Sequence, residues 1–244
     1  MSVTNDRPTT AFVLAAGLGA RMRPLTDARP KPLIEFAGRA LIDHVLDRLA
    51  DAGVERAVVN VHYLAEMIEA HLASRTRPRV AISDERGVLL DTGGGVVRAL
   101  PELGDSPFFI HNSDTVWIER GAPALDTMCA AWDASRMSSL MLLAPAASSL
   151  GYDGRGDFDM AADGRLSRPA KGAAAAYVFA GVSIAHPRMF AGAPQGRSSL
   201  NTFWDRAIAE GRLHGVALDG LWMHVGTPAA LIEAEAAVAA ERAA

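Results

Sequence analysis

The sequence contains a single cysteine, Cys129, so no internal disulfide can form and the fold must rest on burial alone. Such sparing use of thiols suits a reducing compartment. Cys129 lies in a helical stretch rich in Ala and Met and reads as a small buried apolar residue. An excess of basic residues is also missing. Twenty-four Lys and Arg against 28 Asp and Glu leave a net charge of -4, with no general attraction to polyanions. That excludes nucleic acid as a partner and makes any phosphate recognition local. Long apolar runs are absent too: none approaches the roughly 20 residues that span a bilayer. Met1 to Thr10 is polar and lacks the apolar core of a signal peptide. A cytoplasmic protein with no membrane role is expected. Pro, Gly and Ser never cluster into a linker, and no repeat is visible. With 50% hydrophobic residues in 244, one large α/β domain over 1–244 is the expected organisation.

What is present is an alternation of strands and helices. Ala11 to Ala16 is a short apolar run that stops at Gly17, as a buried parallel strand entering a glycine loop does. Leu41, Ile42, Val45, Leu46 and Leu49 share one helical face, and Gly53 follows as a stop signal. Strands are expected at Arg56 to Val61, Arg79 to Ser83 and Pro107 to Ile110, with a helix over Leu64 to Leu72. This alternation predicts βαβ units in a mostly parallel sheet, Rossmann-like and flanked by helices. Ligands in such sheets sit beyond the carboxyl ends of the strands, where Gly17 and Asp114 both fall.

The second half, 122–244, reads differently. A helix is expected over Ala122 to Ser135 and a strand over Ser139 to Ala144. Turn signals at Asp153-Gly154 and Asp163-Gly164 predict a hairpin within Gly151 to Leu166, in a small lobe. Further strands are expected at Ala176 to Ile184 and Leu221 to Val225, and Pro228 opens a terminal helix. Ala173 to Ala176 reads as a loop. His62, His71 and His186 have no ligand partner at helical spacing and are assigned no chemistry.

Chemistry concentrates in Ala15-Ala16-Gly17-Leu18-Gly19-Ala20-Arg21-Met22 and the following Lys31-Pro32-Leu33. Gly17 and Gly19 let main-chain N–H groups approach phosphate oxygens. Arg21 offers a planar fork and Lys31 a compact cation, enough to neutralise a triphosphate whose charge moves onto leaving pyrophosphate. A dinucleotide fingerprint requires a third glycine where Met22 stands, and a Walker loop requires Gly-Lys-Ser/Thr; neither is met.

The segment from Leu14 to Leu33 resembles the signature of the sugar-1-phosphate nucleotidyltransferases, L-A-A-G-x-G-x-R-M-x-P-L-T followed by P-K-P-L, at nearly every fixed position. The resemblance implies that Ala15, Ala16, Gly17, Gly19 and Arg21 hold the nucleotide and that Arg21 and Lys31 are catalytic. It implies base-reading positions at Glu85, Asp91 and Thr92, and places Asn112 among the nucleotide-binding residues. Gly93 to Gly95, at a helix start, would permit close backbone approach to the ligand. The Asp91-Thr92-Gly93-Gly94-Gly95 form is most similar to the small N-acetylmuramic acid 1-phosphate uridylyltransferases of cell-wall recycling. Residues 11–121 then form the nucleotide half, and 122–244 the sugar half with the C-terminal helix. No β-helix or acyltransferase domain is expected after that helix.

Three departures from the family pattern stand out. Asp114, the implied magnesium ligand, follows Ser113 where relatives carry Gly. In Trp222-Met223-His224-Val225-Gly226-Thr227-Pro228, His224 replaces the usual second metal carboxylate. Imidazole suits manganese or zinc better than magnesium. Asp114 and phosphates holding the metal alone is the preferred reading; a softer ion on His224, or lost activity, stay open. Ser167-Arg168-Pro169 stands where relatives have Glu-Lys-Pro, and Arg168 reads equally as a pocket residue or a solvated charge. Gly181 and Asn201 are the implied sugar-side residues, although Asn201 also reads as a helix N-cap.

The expected reaction joins a nucleoside triphosphate, UTP first, to a sugar 1-phosphate with magnesium, in a monomer or small homo-oligomer. A guanylyl or thymidylyl transferase acting on mannose, glucose or heptose 1-phosphate is the alternative within the class. A catalytically silent sugar-nucleotide sensor is the alternative outside it.

Overall fold

The computed structural model describes residues 7–243, so the first six residues of the polar N-terminal stretch lie outside it. In chain order the strands are β1 (Thr10–Leu14), β2 (Glu35–Phe36), β3 (Arg39–Ala40), β4 (Arg56–Val61), β5 (Arg79–Asp84), β6 (Phe108–Asn112), β7 (Thr115–Glu119), β8 (Ser139–Pro145), β9 (Asp159–Met160), β10 (Leu166–Ser167), β11 (Tyr177–Ala185), β12 (Leu213–Ala217) and β13 (Gly220–His224). The helices are α1 (Leu41–Asp51), α2 (Ala65–Leu72), α3 (Asp91–Leu103), α4 (Ala124–Ala131), α5 (Leu200–Ala209) and α6 (Pro228–Ala243). Among the described residues no helix is long and apolar enough to cross a membrane.

A seven-stranded sheet of order β12-β8-β11-β6-β1-β4-β5 forms the centre. All neighbours run parallel except β11, which is antiparallel to both β6 and β8. Alternation along the strands divides the core in two. Ala11 and Val13 of β1, Ala57 and Val59 of β4, and Phe109 of β6 face α1, α2 and α4. Phe12, Val58, Phe108 and Ile110 face α3 and α5. Successive side chains of a strand point to opposite faces, so strands apolar throughout require helices on both sides. Helices therefore flank both faces of a mostly parallel sheet, as the alternation predicts.

Several elements depart from expectation. The helix after Ala122 stops at Ala131 because Asp133 accepts hydrogen bonds from Ser135 N (2.9 Å) and its hydroxyl (2.6 Å), a local turn that competes with helix. The hairpin pairs only β9 with β10, turning at Asp163-Gly164. The other turn signal belongs to a loop closed by Gly156 N donating to the Tyr152 hydroxyl (2.9 Å). Strands β2, β3, β7 and β12 add to the expected set. β7 pairs with β13 in a separate antiparallel ribbon that sets His224 opposite Thr115. Cys129 packs, half-buried, against the core.

Candidate active site

The site begins where the chain leaves the sheet at Leu14. Ala15 and Ala16 stay buried, and both their N–H groups donate to Asn60 Oδ1 (2.7 and 3.2 Å). From Gly17 the loop is exposed. Gly19 turns it with φ 65°, a left-handed conformation, and any side chain there would press on Thr26 and Lys31. The Thr26 hydroxyl donates to Gly19 O (2.8 Å) and braces the turn. The N–H groups of Gly17, Leu18 and Gly19 donate to no acceptor among the described residues. Arg21, exposed one turn further, forms no hydrogen bond or ion pair with a described residue. Unpaired amides beside a guanidinium make a concave anion cradle.

Asp114 stands opposite. β6 runs beside β1 with Asn112 in register with Leu14, and Ser113 N donates to Leu14 O (3.1 Å). The next residue is thereby held at the carboxyl edge of the sheet. Asp114 Oδ2 is paired with Lys31 Nζ, the two side chains being 31% and 12% exposed. Burial, the largest influence, pushes the Asp114 carboxyl up, but the charge and hydrogen bond of Lys31 outweigh it and hold the group below its ordinary value. His224, at the end of β13, lies over Gly226 and edge-on to Tyr152 (6.4 Å between ring centroids). Burial, then the charges of Arg21 and Lys31, push its imidazole down, so it is neutral at pH 7. Among the described residues no three His, Cys, Asp or Glu side chains converge on a metal position. One ionised carboxylate facing a cradle for phosphates nevertheless fits magnesium, which takes one or two carboxylates and completes its shell from phosphate and water.

The third wall is the turn into α3, and here one expectation is corrected. Glu85 lines the cavity. It is buried, Oε1 accepting from Asn60 Nδ2 (2.8 Å) and Oε2 from Leu90 N (3.0 Å). The glycines of α3, however, do not admit a ligand. Gly93 N and Gly94 N both donate to Ser198 O (2.8 and 2.9 Å), so the helix N-terminus is occupied by the chain itself. A Cβ on Gly93 would lie 2.8 Å from the Ser199 carbonyl carbon, and one on Gly95 2.7 Å from Glu85 Oε1. Thr92 joins the same contact, its Oγ1 accepting from Leu200 N (2.9 Å). Asp91 adopts φ 64° without being glycine, and its Oδ1 accepts from Thr92 N (2.6 Å).

These walls enclose a cavity of about 240 Å³ lined by Ala15, Ala16, Gly17, Asn60, Asp91, Thr92, Asn112 and Asp114 among others. A second of about 330 Å³, lined by Gly17 to Met22 and Gly226, shares Gly17, Gly19, Lys31 and Asp114 with it. The structure thus brings together every nucleotide-side residue singled out from sequence, with Glu85 in the cavity wall and Arg21 in the adjoining space. The sugar-side residues line neither cavity. Gly181, at φ 89°, makes its close approach to Thr115, whose hydroxyl any side chain would strike. Asn201 is not the N-cap of α5. Ser199 is, its hydroxyl accepting from Asn201 N (3.2 Å), while Asn201 Oδ1 accepts from Arg168 Nη2 (2.6 Å). Arg168 is accordingly no free surface charge: it also pairs with Asp205 (2.9 Å) and stacks 4.3 Å from the Phe158 ring centre. Asn60 is a site residue that sequence reasoning misses. Its signal is a polar residue interrupting the apolar run from Ala57 to Val61.

The chain and its fold have counterparts among known proteins. N-acetylmuramate alpha-1-phosphate uridylyltransferase of Caulobacter vibrioides is 51% identical over 239 residues, 96% of this chain and 99% of that protein. The protein of the same name from Neisseria meningitidis is 35% identical over 229 residues, 93% and 96% of the two chains. A crystal structure of UDP-glucose pyrophosphorylase complexed with UDP-glucose shares the fold, with TM-score 0.75 at 17% identity over 96% of this chain and 99% of that one. The profile of the Nucleotidyl transferase family matches residues 10–241, and the chain belongs to that family.

Proposed function

We propose that this protein transfers the uridylyl group of UTP to N-acetylmuramate α-1-phosphate, giving the UDP-sugar and pyrophosphate. The observation that carries the reading is the set of unpaired amides at Gly17, Leu18 and Gly19 facing the Lys31–Asp114 pair across a shared cavity wall. The choice of uridine and of muramate follows the names of the two relatives, which align along nearly the whole chain.

The sugar-phosphate oxygen attacks the α-phosphorus of UTP. A P–O bond forms, the bond from the α-phosphorus to the bridging oxygen breaks, and pyrophosphate leaves with the electron pair. No covalent intermediate is required, because the nucleophile is already an anion. The chain supplies orientation and charge. Loop amides and Arg21 hold the β- and γ-phosphates, and Lys31 meets the charge that develops on the departing oxygen. Ala15, Ala16, Asp91, Thr92 and Asn112 border the nucleoside. Asp114 would hold a magnesium ion, with the neutral His224 ring as a further donor that favours manganese. When bound, that ion neutralises phosphate charge. Residues 11–121 serve the nucleotide and 122–244 the sugar.

Pyrophosphate release measured for UTP, GTP, dTTP and CTP against N-acetylmuramate, glucose and mannose 1-phosphates tests the assignment. UTP with N-acetylmuramate 1-phosphate is expected to give the highest kcat/KM. A better rate with GTP and mannose 1-phosphate would replace the specific reading, and tight binding without turnover under any divalent ion would remove the enzyme.

A further inference from the structure

β4 is buried and apolar from Ala57 to Val61, except for the polar Asn60, which is 2% exposed. A carboxamide is tolerated in such a place only when its hydrogen bonds are met, and here each end has its own partners. Two main-chain donors, Ala15 N and Ala16 N, converge on Oδ1, and Nδ2 donates to Glu85 Oε1. Those opposite demands fix which way the amide faces. Glu85 carries the connection on to Leu90 N, one residue before α3. Gly95 makes room for the pair: a Cβ there would lie 2.7 Å from Glu85 Oε1 and 3.0 Å from Asn60 Nδ2.

We infer that Asn60 is the positioning residue of the nucleotide site. Its side chain turns the Ala15 and Ala16 amides inward, so that the next amides, from Gly17 on, emerge toward the cavity. Through Glu85 it also locks the glycine loop to the Leu90–Thr92 turn, so that the phosphate and nucleoside walls keep one spacing. It borders the cavity, but its carboxamide is committed to those main-chain groups and to Glu85, and it acts by holding them in place. The inference rests on the reading that this cavity takes UTP.

The pair permits a reciprocal test. In Asn60→Asp, two carboxylates face each other and the donor to Glu85 is lost. Combining Asn60→Asp with Glu85→Gln reverses the pair. The carboxylate now on β4 accepts from both loop amides and from the introduced carboxamide, whose oxygen accepts from Leu90 N. Every bond returns with the charge moved to the opposite partner. At pH 8, Asn60→Ala and Asn60→Asp are expected to weaken UTP binding about tenfold or more, the cost of a buried hydrogen bond left unmade. The KM for sugar phosphate stays within about twofold, and the double variant recovers UTP affinity to within about threefold. Amide hydrogen exchange supplies a readout that general loss of stability does not mimic. In Asn60→Ala the amides of Ala15, Ala16 and Leu90 should exchange faster while Val58 keeps its protection. Wild-type UTP affinity in Asn60→Ala, unchanged exchange at Ala15 and Ala16, or a double variant no better than Asn60→Asp overturns the inference. Absence of UTP binding by the unmutated protein would instead sink the assignment of function, and the exchange pattern would still decide the role of Asn60.

Discussion

Gly17→Ala separates the two reasons a glycine can stand in a loop. At Gly19 the backbone needs it, with φ 65° and Thr26 and Lys31 within 3.0 and 3.1 Å of an added Cβ. At Gly17 nothing in the protein does: its φ is outside the left-handed region, and an added Cβ meets no atom within 4 Å. Folding should therefore tolerate alanine. Restricting the unfolded chain gains about 0.4–1 kcal/mol where the native conformation allows it, which raises Tm by about 1–4 °C in a domain of this size. Activity should move the other way. A methyl group at the mouth of the cradle shifts a bound phosphate by about 1 Å, a displacement that costs about 100-fold, or about 2.7 kcal/mol, in kcat/KM. Melting curves and pyrophosphate-release kinetics on one preparation measure both. A variant that melts at or above the parent temperature and loses about two decades of kcat/KM supports the cradle. Unchanged kcat/KM would show that no phosphate approaches Gly17, and the reasoning would fail.

Three further outcomes are expected. Lys31→Ala should lower kcat by about 100- to 1,000-fold, as loss of one charge-stabilising donor does. It should also lower Tm by about 2–8 °C, because Asp114 loses the cation that holds its carboxyl low; wild-type turnover would remove Lys31 from the site. Gly95→Ala should destabilise by about 2–4 kcal/mol, since the clash with the Glu85–Asn60 pair exceeds the helix-propensity gain of about 1 kcal/mol, and a rise in Tm would contradict that packing. His111 is buried, stacked on Trp117 (5.7 Å between centroids), and burial lowers its pKa to about 3. The folded protein therefore keeps it neutral while the unfolded chain takes up a proton below about pH 6.5, so stability falls as pH drops from there toward 3. His111→Phe should remove about 2 kcal/mol of the stability difference between pH 7.5 and pH 5 in denaturant titrations, and an unaltered difference would refute the assignment.

The strands that carry the site were legible because they are buried on both faces and bounded by glycine or polar breaks; Arg56–Val61 falls where its apolar run lies. β7 was hidden because Thr115–Glu119 follows β6 after two residues and joins a different ribbon. Such a change of partner has no local sequence mark. The glycine loop, Lys31 and Asp114 were legible as types in order. That Gly17 and Asp114 share the carboxyl edge was legible too, but the adjacency of β1 and β6 and the pairing of Lys31 with Asp114 were not, since both depend on strand order and register. The α3 glycines show the limit most clearly. Three glycines at a helix start fit a ligand or a second chain segment equally well, and only the tertiary contact with Ser198 distinguishes them. Glu85 and Asn201 show the same limit: a polar side chain does not declare its partners within the protein, here Asn60 for one and Arg168 for the other.

The central claim is that a triphosphate lies on the main chain between Gly17 and Arg21, opposite Lys31 and Asp114. A crystal structure with a non-hydrolysable UTP analogue and magnesium tests it most directly. The account predicts phosphate oxygens within hydrogen-bond distance of Leu18 N and Gly19 N, with the Arg21 guanidinium on the terminal phosphates. A fully occupied analogue whose phosphates touch none of these groups would contradict it.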